Sequence, residues 1–207
     1  MKKIVLIGDS IRMGYQKNVR AQLEGWADVW GPDQNGGTSE HVLAHLDEWV
    51  ITRQPDVLHI NCGLHDLKKE FGQDGAAIPL DAYTDGVRAI MTRVKTETNA
   101  IVVWALTTPV NQEWHHKNKG FDRFEDDVAT YNTAAAHVAR ELNIVVNDLF
   151  ATVTSAGRDD LLLPDGVHFK PEGYVLLGKG VADQIKRVTG DFNLIFSSTT
   201  KVASRKI

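Results

Sequence analysis

Short, almost continuously apolar runs rich in β-branched residues, separated by longer stretches of helical periodicity, set the narrowest limits on this chain's fold. The runs lie at residues 3–8, 28–31, 56–62, 100–106 and 143–147. Strands covered on both faces of a parallel sheet read this way, whereas a sheet with one wet face alternates apolar and polar residues. The stretches between them are 12–25, 38–53, 80–98, 121–142 and 171–188. Val42, Leu43, Leu46, Trp49 and Val50 mark one helical face, and Tyr83, Val87, Ile90, Met91 and Val94 another. This alternation predicts an α/β fold: a three-layer α/β/α sandwich around a central, mostly five-stranded parallel sheet. Residues 1–190 are expected to form one domain. Residues 191–207 read as a tail, either an added edge strand or a loose end.

Composition removes several classes of function. Of 207 residues, 23 are Lys or Arg and 27 are Asp or Glu, a formal charge of -4. Nucleic-acid binders that live on phosphate contacts are usually basic, so that partner is not expected. No apolar run approaches the roughly 20 residues of a membrane span. The single cysteine, Cys62, forms no intrachain disulfide and no Cys-rich zinc site, and it reads with His59 as core. Met1-Lys2-Lys3 followed by Ile4-Val5-Leu6-Ile7 opens like a leader. A secretory apolar region needs about 7–15 residues, however, and this one stops at Gly8-Asp9. The expectation is a cytoplasmic protein, with secretion left open for a chain whose leader has been removed. Oligomeric state is also open.

In open α/β sheets, ligands bind beyond the carboxyl ends of the strands, and four polar segments begin there. Gly8-Asp9-Ser10, followed by Ile11-Arg12, puts a serine at a strand-to-helix turn beside free helix-start N–H groups, although Asp and Ser are also ordinary N-caps. Gln34-Asn35-Gly36-Gly37-Thr38-Ser39 permits a left-handed turn ahead of a helix. Asn61-Cys62-Gly63-Leu64-His65-Asp66 ends the third run with a histidine and an aspartate. Pro164-Asp165-Gly166-Val167-His168-Phe169 spaces an acid three residues from an imidazole, which suits an oriented general base and equally a capped turn.

Together and in this order, the four segments resemble the SGNH (GDSL-type) hydrolase superfamily. The resemblance runs from Lys3 to about Val188, and Asp-x-x-His with the following aromatic and Pro-x-Gly-Tyr is its most specific part. It implies the flavodoxin-like SGNH fold and a serine esterase that needs no cofactor and no metal. It also implies Ser10 as nucleophile, His168 as general base and Asp165 as its orienting acid. The implied oxyanion hole comprises the Ser10 N–H, the N–H of Gly36 or its neighbour Gly37, and a side chain from the third segment. The family usually has Gly-x-Asn-Asp there, and this chain has His65 in the Asn position. Asp66 is expected to influence the His65 ring.

Asp9, Arg12, Asp66, Trp114 and Val167 are the candidate substrate contacts, with Arg12 free to face substrate anions. The long connections 67–79 and 107–120 are expected to shape specificity, and Asn111, Gln112 and Trp114 mildly suit a sugar. A small-molecule or carbohydrate ester carrying a short acyl group, acetyl foremost, is the expected substrate. His115-His116 read as loop residues rather than metal ligands. Arg123, Asp127 and Tyr131 read as helix neighbours, the first two as an ion pair. The rival from another class is a binding or regulatory protein that keeps the scaffold with an impaired site. A nucleotide binder is disfavoured, because neither G-x-G-x-x-G nor G-x-x-x-x-G-K-[ST] occurs.

Overall fold

The computed structural model describes residues 1–190; the expected tail lies outside the described residues. In chain order the strands are β1 (Lys2–Ile7), β2 (Ala27–Trp30), β3 (Val57–Ile60), β4 (Lys69–Glu70), β5 (Ile101–Ala105), β6 (Phe121–Asp122) and β7 (Val145–Asn147). The helices are α1 (Ser10–Gln22), α2 (Ser39–Ala44), α3 (Leu80–Glu97), α4 (Gln112–Asn118), α5 (Glu125–Glu141), α6 (Leu149–Ser155), α7 (Arg158–Leu161) and α8 (Pro171–Val188).

Five parallel strands make the central sheet in the order β2-β1-β3-β5-β7. This is the doubly wound order in which the chain reverses direction between β1 and β3, leaving a crevice at their carboxyl ends. The apolar runs are the strands because both faces are covered: Ile4, Val5, Leu6 and Ile7 are all buried, as is every residue of β3. Each such side chain contributes about 1.5–3 kcal/mol on leaving water. α1 packs on α8, which also meets α6, while α3 packs on α5 and α2. His59 lies in this core, where its Nε2 accepts from the Asn147 side chain and burial pushes its pKa down to about 3.

Two expectations need correction. The stretch 38–53 is not one helix: α2 ends at Ala44, and a wider π-helical turn follows at Asp47–Ile51. That turn keeps Leu46, Trp49 and Val50 all buried while the His45 ring stacks on Trp49 at 4.6 Å. Nor is 121–142 one helix. α5 starts at Glu125, where Glu125, Asp126 and Asp127 complement the positive end of the helix. Ahead of it, β6 pairs antiparallel with β4, Lys69 opposite Asp122 and Glu70 opposite Phe121. The two long connections are thereby tied to each other. Arg123 falls outside the helix, and Asp127 pairs with Lys69 at 2.7 Å instead.

No helix among the described residues is long and apolar enough to cross a membrane. A cavity of about 630 Å³ lined by Arg20, Glu24, Asp28 and Trp30 sits against β2 and shares no residue with the crevice holding Ser10.

Candidate active site

Ser10 is the first residue of α1. Asp9 caps the helix by accepting the Ile11 N–H at 2.9 Å, and the Ser10 N–H, being in the first turn, has no intrahelical acceptor. The Ser10 hydroxyl donates to His168 Nε2 at 2.9 Å, and His168 Nδ1–H donates to Asp165 Oδ2 at 2.6 Å. Asp165 Oδ1 accepts the backbone N–H groups of His168 at 2.9 Å and Val167 at 3.1 Å, and Lys119 Nζ lies 3.1 Å from Oδ2. Partial burial works against the Asp165 charge. The His168 ring, the two amides and Lys119 outweigh it and hold the carboxyl below the usual carboxylate range. An ionised acceptor on Nδ1 fixes the tautomer that leaves Nε2 free to take a proton.

The loop carrying Asp165 and His168 is built to hold that spacing. Leu162 bridges Phe169, Leu163 N–H donates to His168 O at 2.7 Å, and Lys170 N–H donates to Leu161 O at 2.8 Å. α4 supports it from behind: Asn111 N–H donates to Gly166 O at 2.8 Å, and the buried His115 donates Nδ1–H to Asp165 O at 3.0 Å. His116 contacts Asp122 at 2.8 Å.

Of the implied oxyanion donors, His65 borders the same crevice as Ser10 and His168. Desolvation lowers its pKa, the nearby positive charges of Arg123 and Lys68 add to this, and Asp9 opposes it. Its ring is therefore neutral at neutral pH and carries one N–H. The glycines need correction. Gly36 N–H donates to Gly8 O at 2.9 Å, an approach so close that a Cβ on Gly36 would meet that oxygen at 2.7 Å. Its amide is committed. Gly37 N–H meets only the exposed side-chain oxygen of Asn35, at 2.9 Å.

The candidate substrate contacts divide. Val167 lines the crevice. Asp9 is buried and caps α1. Arg12 does not face substrate: it is buried, and its guanidinium donates to Gln16 Oε1 at 2.8 Å, Gln34 O at 2.8 Å and Gly8 O at 3.5 Å. It ties the first segment to the second. Asp66 is also turned away, accepting Ser39 N–H at 2.8 Å and Ser39 Oγ–H at 2.6 Å, so it orders the second segment rather than the His65 ring. Trp114 lines a neighbouring cavity of about 280 Å³ with Asn118, Leu162, Pro164 and Lys170. Asn111 is occupied in the fold, its oxygen capping α4 and its amide reaching Asp159 at 3.1 Å.

The crevice itself, about 260 Å³, is lined by Ser10, Asn35, Leu64, His65, Lys119, Phe121, Arg123, Val167 and His168. Sequence reasoning missed Asn35, Leu64, Lys119, Phe121 and Arg123. The acidic triplet at 125–127 was the available signal, since it marks a helix start that leaves Arg123 on the preceding segment.

With a serine, an imidazole and a carboxylate in one hydrogen-bonded line at the sheet's carboxyl edge, the sequence match decides the family. The profile of the GDSL-like lipase/acylhydrolase family matches residues 6–176. The chain belongs to that family. It is accordingly a carboxylic ester hydrolase by kinship. No curated protein is recognisably similar in sequence. Among solved structures, the fold matches a lipase/acylhydrolase from Enterococcus faecalis with TM-score 0.73 at 22% identity, covering 91% of this chain and 97% of that one. An acetyl xylan esterase matches with TM-score 0.71 at 18% identity, over 88% of this chain and 99% of that one. An acetylxylan esterase from Geobacillus stearothermophilus matches with TM-score 0.70 at 20% identity, covering 89% and 94%.

Proposed function

We propose that this member of the family is a serine esterase that removes short acyl groups, acetyl foremost, through a Ser10–His168–Asp165 triad and an acyl-enzyme. The unbroken hydrogen-bonded line from Ser10 Oγ through the His168 ring to Asp165 carries the reading. Ser10 attacks the acyl carbonyl while His168 Nε2 takes its proton. Asp165 steadies the imidazolium, and the alcohol leaves with the proton returned from His168. A water, activated by the same imidazole, then releases the acid.

Three donors suit the tetrahedral oxyanion: the Ser10 N–H, the His65 ring N–H and the Gly37 N–H once the exposed Asn35 side chain swings away. Gly36 is not among them, because its amide is held by Gly8. A short acyl group is supported by the small crevice, which lies just below the roughly 300–1,000 Å³ of ordinary ligand pockets. The two acetylxylan esterases of like fold lend the acetyl reading further weight. The alcohol part is a small molecule or a carbohydrate.

Hydrolysis of p-nitrophenyl acetate, butyrate and octanoate by wild type and Ser10→Ala tests the reading. The expected result is turnover that falls with chain length and disappears in Ser10→Ala. Turnover that survives Ser10→Ala would sink the assignment.

A further inference from the structure

We propose that the crevice beside Ser10 binds an anionic group of the substrate, a carboxylate or phosphate, on the guanidinium of Arg123. The proposal rests on the esterase reading above and adds the charge class of the ester. Arg123 is only 6% exposed, yet it borders the crevice. Its Nε–H donates to Leu64 O at 2.6 Å, and the guanidinium carbon stands 4.9 Å from the centre of the Phe121 ring. These two contacts fix the plane of the fork. The terminal nitrogens, which carry four of its five N–H groups, make no hydrogen bond to the described residues and are not among the buried atoms left without a partner, so they open on the crevice.

Arg12 shows what a structural arginine looks like in this same fold. It is equally buried, and its two terminal nitrogens reach Gln16, Gln34 and Gly8. Arg123 has no such acceptors. The nearby carboxylates make no hydrogen bond to it: Asp9 Oδ1 takes the Ile11 N–H and its Oδ2 is buried without a partner, and Asp165 is held by His168, Val167 and Lys119. Burial lowers the Arg123 pKa only to about 10, so the group stays charged at neutral pH. A charged fork whose outer donors open on the crevice is free to take the oxygens of an anion there. Two oxygens of a carboxylate or phosphate match the planar fork. Lys119 lines the same crevice, with its ammonium paired to Asp165.

Matched ester pairs read the proposal, because a ratio within one protein cancels any general loss of activity. On the acyl side the pair is p-nitrophenyl hemiglutarate against p-nitrophenyl valerate. On the alcohol side it is p-acetoxybenzoate against p-acetoxybenzamide. In wild type, kcat/KM for the charged member of at least one pair should exceed its neutral partner on the order of 10- to 100-fold, as hydrogen bonds to a charged group allow. Arg123→Gln should bring that ratio to about one, and Arg123→Lys should leave an intermediate value, since it keeps the charge and loses the fork. Ratios near one in wild type overturn the proposal. So does a wild-type preference that Arg123→Gln leaves intact, or an equal loss on charged and neutral members, which would make Arg123 a stabiliser of the reacting carbonyl.

Calorimetric titration of Ser10→Ala with glutarate and with inorganic phosphate reads the same site without turnover. If no Ser10-dependent hydrolysis exists, the esterase reading fails, and this titration alone decides the anion site. One-to-one binding that is lost in Ser10→Ala/Arg123→Gln upholds it, and absence of binding overturns it. Which of the two anions binds more tightly separates a carboxylate substrate from a phosphate one.

Discussion

His65 stands where the family usually has an amide, and the two differ in a way that matters for an oxyanion. An asparagine amide donates at any ordinary pH. An imidazole donates one N–H when neutral, and when charged it adds a positive charge that would also attract anions indiscriminately. Burial, opposed by Asp9 and helped by Arg123 and Lys68, lowers the His65 pKa and so favours the neutral ring. On the proposed function the ring takes the place of the amide as an oxyanion donor. His65→Asn is expected to keep activity within a few-fold of wild type. His65→Ala should lower kcat on p-nitrophenyl acetate about 10²- to 10³-fold, the usual loss on removing one oxyanion donor. Equal activity in His65→Ala and wild type would remove His65 from the hole. Steady-state kinetics at saturating substrate checks both variants.

At the scale of elements, the loop after α7 is held in shape by α4. Gly166 has φ +72°, and a Cβ there would meet Asn111 O at 2.4 Å and His115 N at 2.7 Å. Any side chain would be strained by the backbone conformation and would press on the first turn of α4. Gly166→Ala should therefore move Asp165 and His168 together. Since a displacement near 1 Å can cost about 10²-fold in rate, kcat should fall by roughly that factor. The change in KM should be small, because Gly166 does not line the crevice. A normal kcat in Gly166→Ala would show that the loop tolerates the shift.

The same element scale separates what was legible from what was not. That Ser10, Asp165 and His168 come together could be anticipated because each lies in a short segment with its own turn chemistry. The five sheet strands could be read because burial on both faces leaves continuous apolar runs such as Ile4–Val5–Leu6–Ile7. Arg123 and Lys119 could not. They reach the crevice through a two-residue pairing of β4 with β6, elements about fifty residues apart with no periodic pattern. Arg12 and Asp66 were misread for a related reason: a charged residue next to a catalytic motif looks accessible until packing shows which way it turns. Gly36-Gly37 was legible as a left-handed turn, and only the geometry reveals that Gly37 takes the positive φ while the Gly36 amide is held by Gly8.

For the molecule as a whole, Asp66 makes stability depend on pH in a direction opposite to that of Asp165. Asp66 is fully buried, with Oδ1 on Ser39 and Oδ2 without a partner. Burial raises its pKa to about 6, and the Ser39 hydrogen bonds only partly offset this. In an unfolded chain an aspartate titrates near 3.9. Between those values the folded protein binds a proton that the unfolded chain does not, so stability falls as pH rises from about 4 to about 6. Asp165, held below the usual range, contributes stability above about pH 4 and loses it only as pH falls further. The two windows meet near pH 4 and act in sequence. Asp66→Asn keeps an oxygen for Ser39 and removes the titration. Urea unfolding of both proteins at pH 4 and pH 7 should therefore show the variant gaining on wild type with rising pH, by on the order of 2–3 kcal/mol. The same stability difference at both values would mean that the Asp66 carboxyl is not perturbed by burial. A gain of the expected sign would mean that the fold gives up stability at neutral pH to keep Ser39, and with it the Gly36-Gly37 turn, anchored beside Ser10.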